Sequence, residues 1–267
     1  MKNGFLVFLA SLIALSGSWC GFVLLPVLQL GGQKQTTVLN ASDVYPVGRP
    51  GMANQGLQVY RANGCAACHT EQVQQSGAAC DVVLTAAGKD PVAVSNLISS
   101  LKLNGLDKDA ADAALDKIKT AGGTAEIHIF ATGPDIARGW GLRRSVAEDF
   151  LYDDPLQLGS VRIGPDLAGV GSHLPDANWQ LVHLYAPRSE VKDSAMPPFR
   201  YLFRVQKKIG TEASPNALVF PKGSEPPAGY EVVPTAEAQQ LAAYLLSLHA
   251  DVPLYDAPFS QSVAAKP

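Results

Sequence analysis

From Gly4 to Leu30 the chain runs without a charged side chain, GFLVFLASLIALSGSWCGFVLLPVLQL. A helix needs about 20 residues to cross a hydrocarbon core of roughly 30 Å, so this run can span a membrane. A cleaved signal peptide is the rival reading, but its apolar core is usually only about 7–15 residues long. Ser16-Gly17-Ser18 imitates a small-x-small cleavage site without being a clean one. The segment 1–30 therefore reads as an uncleaved, single-pass anchor. Lys2 before it and Lys34 after it give only a weak orientation cue, and a short cytoplasmic N-terminus is the natural reading. Cys20 follows Trp19 rather than the small residue a lipoprotein site needs, so it reads as a thiol buried in the membrane helix.

Beyond the anchor the pattern changes. Residues 31–51, rich in Gly, Pro and small polar side chains, read as a tether. Met52–Asn63 looks helical, with Leu57 and Tyr60 on one face. Two more helices are expected near Pro91–Leu101 and Lys108–Thr120; Asp107 caps the second, and Ala110, Ala113, Ala114 and Ile118 form its thin apolar face. Residues 138–199 are turn-rich, and a small hairpin is expected between Tyr201–Val205 and Ala217–Phe220. An amphipathic helix, Thr235–Leu248, closes the body of the chain, capped by Thr235 and presenting Leu241, Tyr244, Leu245 and Leu248 on one face. Residues 251–267 read as a C-terminal tail. The expected fold class is mainly α.

Composition narrows the function classes. Among 267 residues, 21 are Lys or Arg and 24 Asp or Glu, a net charge of −3, which disfavours non-specific nucleic-acid binding. Charged residues are 17% of the chain against roughly 25% in an average soluble domain, the deficit expected of an apolar anchor. Four cysteines in a chain this long are too few to staple a fold, so their position carries the information.

Residues 65–69 read Cys-Ala-Ala-Cys-His. Two thiols three positions apart can reach both vinyl groups of one haem, and the adjacent His69 can turn its imidazole onto the iron. A zinc site would need a second pair of ligands, and a dithiol redox motif expects a βαβ setting; neither accompanies these residues. One covalently attached haem c follows, held by Cys65 and Cys68. His69 needs a partner for its second ring nitrogen, and the carbonyl of Pro165 in the Gly-Pro-Asp-Leu turn is the expected acceptor. Met196, in Ser-Ala-Met-Pro-Pro-Phe, is the expected second axial ligand, since two prolines stiffen the loop and a thioether favours ferrous iron. His173 and His183 are the alternative ligands. Met52 reads as a helix cap or core plug, and His128 and His249 as surface or structural residues. Arg138, Trp140, Arg143, Arg144 and Arg162 are candidate donors to the haem propionates, with Arg162 first because it neighbours the turn.

These residues resemble class I cytochromes c: Gly56-x3-Tyr60-x3-Gly64-Cys-x-x-Cys-His, Gly-Pro-Asp-Leu, Met-Pro-Pro-Phe and a closing Tyr-Leu-Leu-Ser-Leu helix. In that fold the first and last helices cross at a small residue and aromatics, which implies Gly56 and Tyr60 against Tyr244. A closer resemblance is to the membrane-anchored mono-haem subunit II of cbb(3)-type haem-copper oxidases. It rests on Cys-His-Thr-Glu-Gln-Val (68–73), Tyr-Asp-Asp-Pro (152–155), Gly-Ser-Val-Arg-Ile-Gly-Pro-Asp-Leu (159–167), His-Leu-Tyr-Ala-Pro-Arg (183–188) and Ser-Ala-Met-Pro-Pro-Phe (194–199). Against that family, residues 52–250 form the cytochrome c domain with insertions at about 78–136, containing the unpaired Cys80, and about 201–233.

The resemblance implies a single-electron carrier on the outer, periplasmic side of a bacterial cytoplasmic membrane. Its partners would be a catalytic haem-copper subunit, other cytochrome c subunits and a soluble cytochrome donor. The chain would not be a catalyst alone. A small subunit of a nitric oxide reductase, a tethered carrier serving a dehydrogenase, a haem c sensor that binds small ligands, or a purely structural membrane protein are the rival readings.

Overall fold

The apolar run forms a continuous helical rod in three parts: α1 (Gly4–Trp19), a π-helical segment (Cys20–Leu24) and α2 (Leu25–Leu30). The structure is a computed structural model that describes residues 3–39, 41–210 and 212–254. Lys2 and the expected tail from residue 255 onward lie outside the described residues. Pro26 explains the π segment. It lacks an N–H and its ring crowds the carbonyl of Phe22, so the helix widens there and the Leu25 N–H donates to the Cys20 carbonyl, five residues back. Gly4–Gln29 is long and apolar enough to cross a membrane and lies outside the folded body.

The glycine-rich stretch after the anchor is tied down. β1 (Thr36–Thr37) pairs antiparallel with β2 (Val44–Tyr45), and the Leu39 N–H donates to the Pro253 carbonyl at 2.9 Å. Arg49 then pairs with the buried carboxylate of Asp153.

α3 (Gly51–Ala62) follows and ends at Gly64, whose φ of +66° turns the chain into the 3-10 turn Cys65–Ala67. Met52 is exposed in the first turn of α3, so it plugs no core. Next comes a unit not expected as such. β3 (Gly77–Ala86) and β4 (Thr124–Thr132) pair antiparallel, with Cys80 opposite Ile129 and Val82 opposite Ile127. Between them lie α4 (Pro91–Ser100) and α5 (Lys108–Thr120), both where the sequence placed them. Asp107 caps α5, accepting from the Ala110 N–H at 2.8 Å. The buried face of α5 is Ala111, Ala114 and Ile118, a one-residue rotation from the expected face, which leaves Ala110 and Ala113 in solvent. These side chains close a separate small core with Cys80, Val82 and Leu106.

The stretch from 134 to 202 is less irregular than its turn residues suggest. It contains α6 (Pro134–Ala137), a 3-10 turn (Ala147–Phe150), α7 (Val170–His173), α8 (Ala177–Tyr185), α9 (Pro187–Glu190) and a 3-10 turn (Arg200–Leu202). The late hairpin exists, but β5 (Phe203–Lys207) pairs with β6 (Tyr230–Pro234) rather than with 217–220. Leu218 makes a single backbone bond to Val232 at 2.8 Å instead of continuing as a strand. The last helix, α10 (Ala236–Leu246), is capped by Thr235, which accepts from the Ala238 N–H.

The main core is built where α10 crosses α3. It contains Leu57, Tyr60, Leu184, Leu202, Val232, Leu241 and Tyr244. The crossing is close because Gly56 has no side chain: a Cβ there would lie 1.9 Å from the Gln240 carbonyl oxygen and 2.8 Å from Tyr244 Cβ. The Tyr60 and Tyr244 rings meet beside it at 5.1 Å between centroids. Forcing the helices apart should cost on the order of 3 kcal/mol, the upper part of the range for overpacked cores. Gly56→Ala is therefore expected to lower the unfolding temperature sharply. Gly51→Ala, at a position with open space around it, should leave it nearly unchanged.

Candidate functional site

The residues flagged in the sequence come from distant parts of the chain and meet around one imidazole. α3 delivers Cys65, Cys68 and His69 through the left-handed turn at Gly64. Both cysteines are free thiols and half-buried. Burial pushes the Cys65 thiol up to about 12, so the free thiol is protonated near neutral pH.

His69 Nδ1 lies 2.8 Å from the Pro165 carbonyl oxygen. A carbonyl can only accept, so Nδ1 carries the proton and Nε2 keeps its lone pair. Burial lowers the pKa of His69, opposed by the Pro165 bond and the field of Asp166, which favours the neutral ring a metal needs. Gly164 supplies the clearance: a Cβ there would sit 2.2 Å from His69 Cε1.

The strand of chain after His69 is strapped to the same turn. The Gly164 N–H donates to the Cys68 carbonyl at 2.9 Å and the Leu167 N–H to the Thr70 carbonyl at 2.8 Å. Asp166, fully buried, accepts from the Thr70 hydroxyl at 2.5 Å, the Gln72 N–H at 2.8 Å and the Ala168 N–H at 2.9 Å. Asp135 accepts from the Gln74 N–H at 2.8 Å. Arg162 joins the two carboxylates, 2.9 Å from Asp135 and 3.3 Å from Asp166, and also donates to Thr70 and to the Gln72 carbonyl. Its guanidinium thus clamps protein acceptors, next to the Gly-Pro-Asp-Leu turn that made it the first candidate propionate donor. Arg143 is similarly engaged, with Asp149 at 2.7 Å and the Val252 carbonyl at 2.6 Å. Arg138 lies over the Trp140 ring.

Met196 is half-buried and packs against the main core, as Cys65 does. His173 sits in α7, and His183 in α8 lies close enough to His69 for their charges to interact. His128 is exposed on β4, and His249 meets the Ser172 hydroxyl at 2.7 Å.

Three features fit a haem at Cys65–His69. An imidazole has one nitrogen tied and one free, a glycine leaves room against its ring, and a second half-buried imidazole, His183, has a buried Nδ1 without a partner. Among the described residues no cluster of three or more His, Cys, Asp or Glu could hold a bare metal ion.

Two residues not singled out in the sequence complete the surroundings. Asp135 could not be found from spacing, because it is distant in sequence from every motif. Glu71, in the Cys-His-Thr-Glu run, is buried under α10, and the Tyr244 hydroxyl donates to it at 2.9 Å. It borders a cavity of about 280 Å³ also lined by Tyr45, Arg49, Asp149 and His249. Burial raises its carboxyl from 4.5 to about 7, opposed by Tyr244 and by the charge of Arg49. The folded state therefore binds this proton more tightly than the unfolded chain does. The contribution to stability is complete below pH 4.5 and is lost as pH rises through about 7. The loss is on the order of 3 kcal/mol. Glu71→Gln is expected to remove it, flattening the fall of unfolding temperature across that interval.

The family described as cytochrome C oxidase, mono-heme subunit/FixO matches residues 132–244. The match includes Asp135, Arg162, Pro165, Met196 and Tyr244; Cys65–His69 lies before it and is joined to it through the His69–Pro165 bond, and Glu71 through Tyr244. It begins at 132 and runs across 201–233. No curated protein matches the chain. Residues 132–244, behind an N-terminal helix apolar enough to span a membrane, are thus similar to the mono-haem subunit family of cytochrome c oxidase.

Proposed function

We propose that this chain carries one haem c, bound through thioethers from Cys65 and Cys68, with His69 and Met196 as axial ligands. In this reading it passes single electrons to the catalytic haem-copper subunit of a cbb(3)-type oxidase. The observation that carries the reading is the His69 Nδ1–Pro165 bond at 2.8 Å, because it leaves Nε2 as a free, oriented donor beside two free thiols. The bound haem would supply a one-electron ferric/ferrous couple.

The chain's own residues have distinct tasks. Cys65 and Cys68 fix the group covalently, so it is retained through every redox cycle. Pro165 sets the ring and makes the ligating nitrogen more basic. Arg162, Asp135 and Asp166 hold residues 70–74 against the 162–168 turn, so the His69–Pro165 geometry does not depend on one bond. Met196 is offered by a loop stiffened by Pro197 and Pro198, and its thioether favours the ferrous state.

The domain reading follows: an anchor over 1–30, a tether over 31–51 and a cytochrome c domain over 52–250. The tether's bonds to the body support it as a short spacer that holds the haem domain at a fixed attitude to the membrane. Placing this domain on the periplasmic side agrees with thioether attachment outside the cytoplasm. The donor would be a soluble cytochrome or a neighbouring cytochrome c subunit.

The test uses the purified native complex. The chain is expected to copurify with a haem-copper subunit, and its ferrous haem to be reoxidised on addition of O₂. Met196→Ala should keep covalent haem but abolish the weak far-red Fe–S absorption of the ferric protein, make the ferrous form reactive with CO and slow oxidase turnover roughly tenfold. A chain that copurifies without a haem-copper subunit, or a far-red band that survives the substitution, contradicts the reading.

A further inference from the structure

Among the described residues four buried polar atoms have no hydrogen-bond partner: Arg49 Nε, Tyr60 Oη, Gln75 Oε1 and His183 Nδ1. Leaving such an atom unpaired costs about 1–3 kcal/mol, so each asks for an explanation. Arg49 and Tyr60 both stand in the electrostatic field of Glu71 and belong to its surroundings. Gln75 Oε1 is an acceptor. His183 is the remaining nitrogen, and nothing among the described residues accounts for it.

Its ring is held firmly. It stacks on Trp179, one turn earlier in α8, with centroids 4.9 Å apart and planes 6° from parallel. Val182 and Leu184 on either side are buried in the core, which fixes the helix face. Burial and the nearby charge of His69 push His183 down to about 4, so without an anion beside it the ring is neutral. A neutral imidazole with Nδ1–H is a single, oriented donor in a region of low polarity.

The group proposed for Cys65–His69 creates the matching demand. A haem carries two propionates, which need donors where they leave water. Two of the candidate arginines are engaged within the protein: Arg162 with Asp135, Asp166, Thr70 and Gln72, and Arg143 with Asp149 and Val252.

Resting on the haem c reading, we propose that His183 Nδ1 donates a hydrogen bond to a haem propionate, with Trp179 as the platform that aims the ring. His183 is then a positioning residue for the cofactor's carboxylate and not an iron ligand. A donor at the propionate withdraws negative charge from the iron's surroundings and holds the potential up.

The full chain is loaded with haem ¹³C-labelled at the propionates, and redox-difference infrared spectra are recorded alongside potentiometry. His183→Phe keeps an aromatic ring on Trp179 without a donor, His183→Leu is the smaller apolar alternative, and His183→Asn places an amide N–H near Nδ1. In either apolar variant the labelled carboxylate bands should shift and the midpoint potential should fall, while covalent haem and the low-spin spectrum remain. The Asn variant should keep the wild-type bands. Labelled bands unchanged in a folded, haem-loaded Phe or Leu variant overturn the proposal. So does loss of the low-spin spectrum, which would make His183 a ligand. Wild-type protein without covalent haem would instead sink the haem reading beneath it.

Discussion

The whole arrangement turns on an imidazole that must satisfy one nitrogen and spare the other. The Pro165 carbonyl takes the Nδ1 proton of His69, and Gly164 removes the side chain that would push the ring away. Residues 69 and 165 are far apart in sequence, so this contact is not local and needs the rest of the fold to hold it. The straps between 68–74 and 162–168 do this directly. The α3–α10 crossing does it from behind, because it fixes the helix that delivers the two cysteines.

That support is largely polar and buried, which makes it costly and specific. Asp135 and Asp166 would be expensive to bury alone; each instead accepts backbone N–H bonds, and Arg162 bridges the pair. Glu71 meets the same problem differently, holding its proton toward neutral pH beneath Tyr244 and Tyr60. The polar residues around His69 thus read as scaffolding that keeps one ring still. Such rigidity would suit the proposed electron transfer, in which the surroundings should change little between oxidation states.

Much of this was legible in the chain itself. The membrane rod, α3, α4, α5 and α10 were visible because caps, apolar spacing and length agreed at each. The Cys65–His69 spacing and the Gly-Pro-Asp-Leu turn also pointed to each other on chemical grounds, through the need of a ligating His for a second partner. The strands β3 and β4 were hidden for different reasons. β3 is small-residue rich and lacks clean alternation, whereas β4 does alternate, with Ala125, Ile127 and Ile129 turned inward. The late hairpin was misplaced because 217–220 and 230–234 are both extended and apolar, and only tertiary pairing separates them. The arginines around the turn could not be sorted from sequence, since a guanidinium that clamps carboxylates and one that meets a ligand look alike until Asp135 and Asp166 are in place.

A covalent tetrapyrrole on the two sulfurs next to His69 can be sought by proteolysis and mass spectrometry of protein made in a host that attaches haem c. The peptide containing Cys65, Cys68 and His69 should keep the mass of one haem under denaturing conditions and have no alkylatable thiol. The same peptide recovered at its unmodified mass, with both thiols open to alkylation, would contradict it.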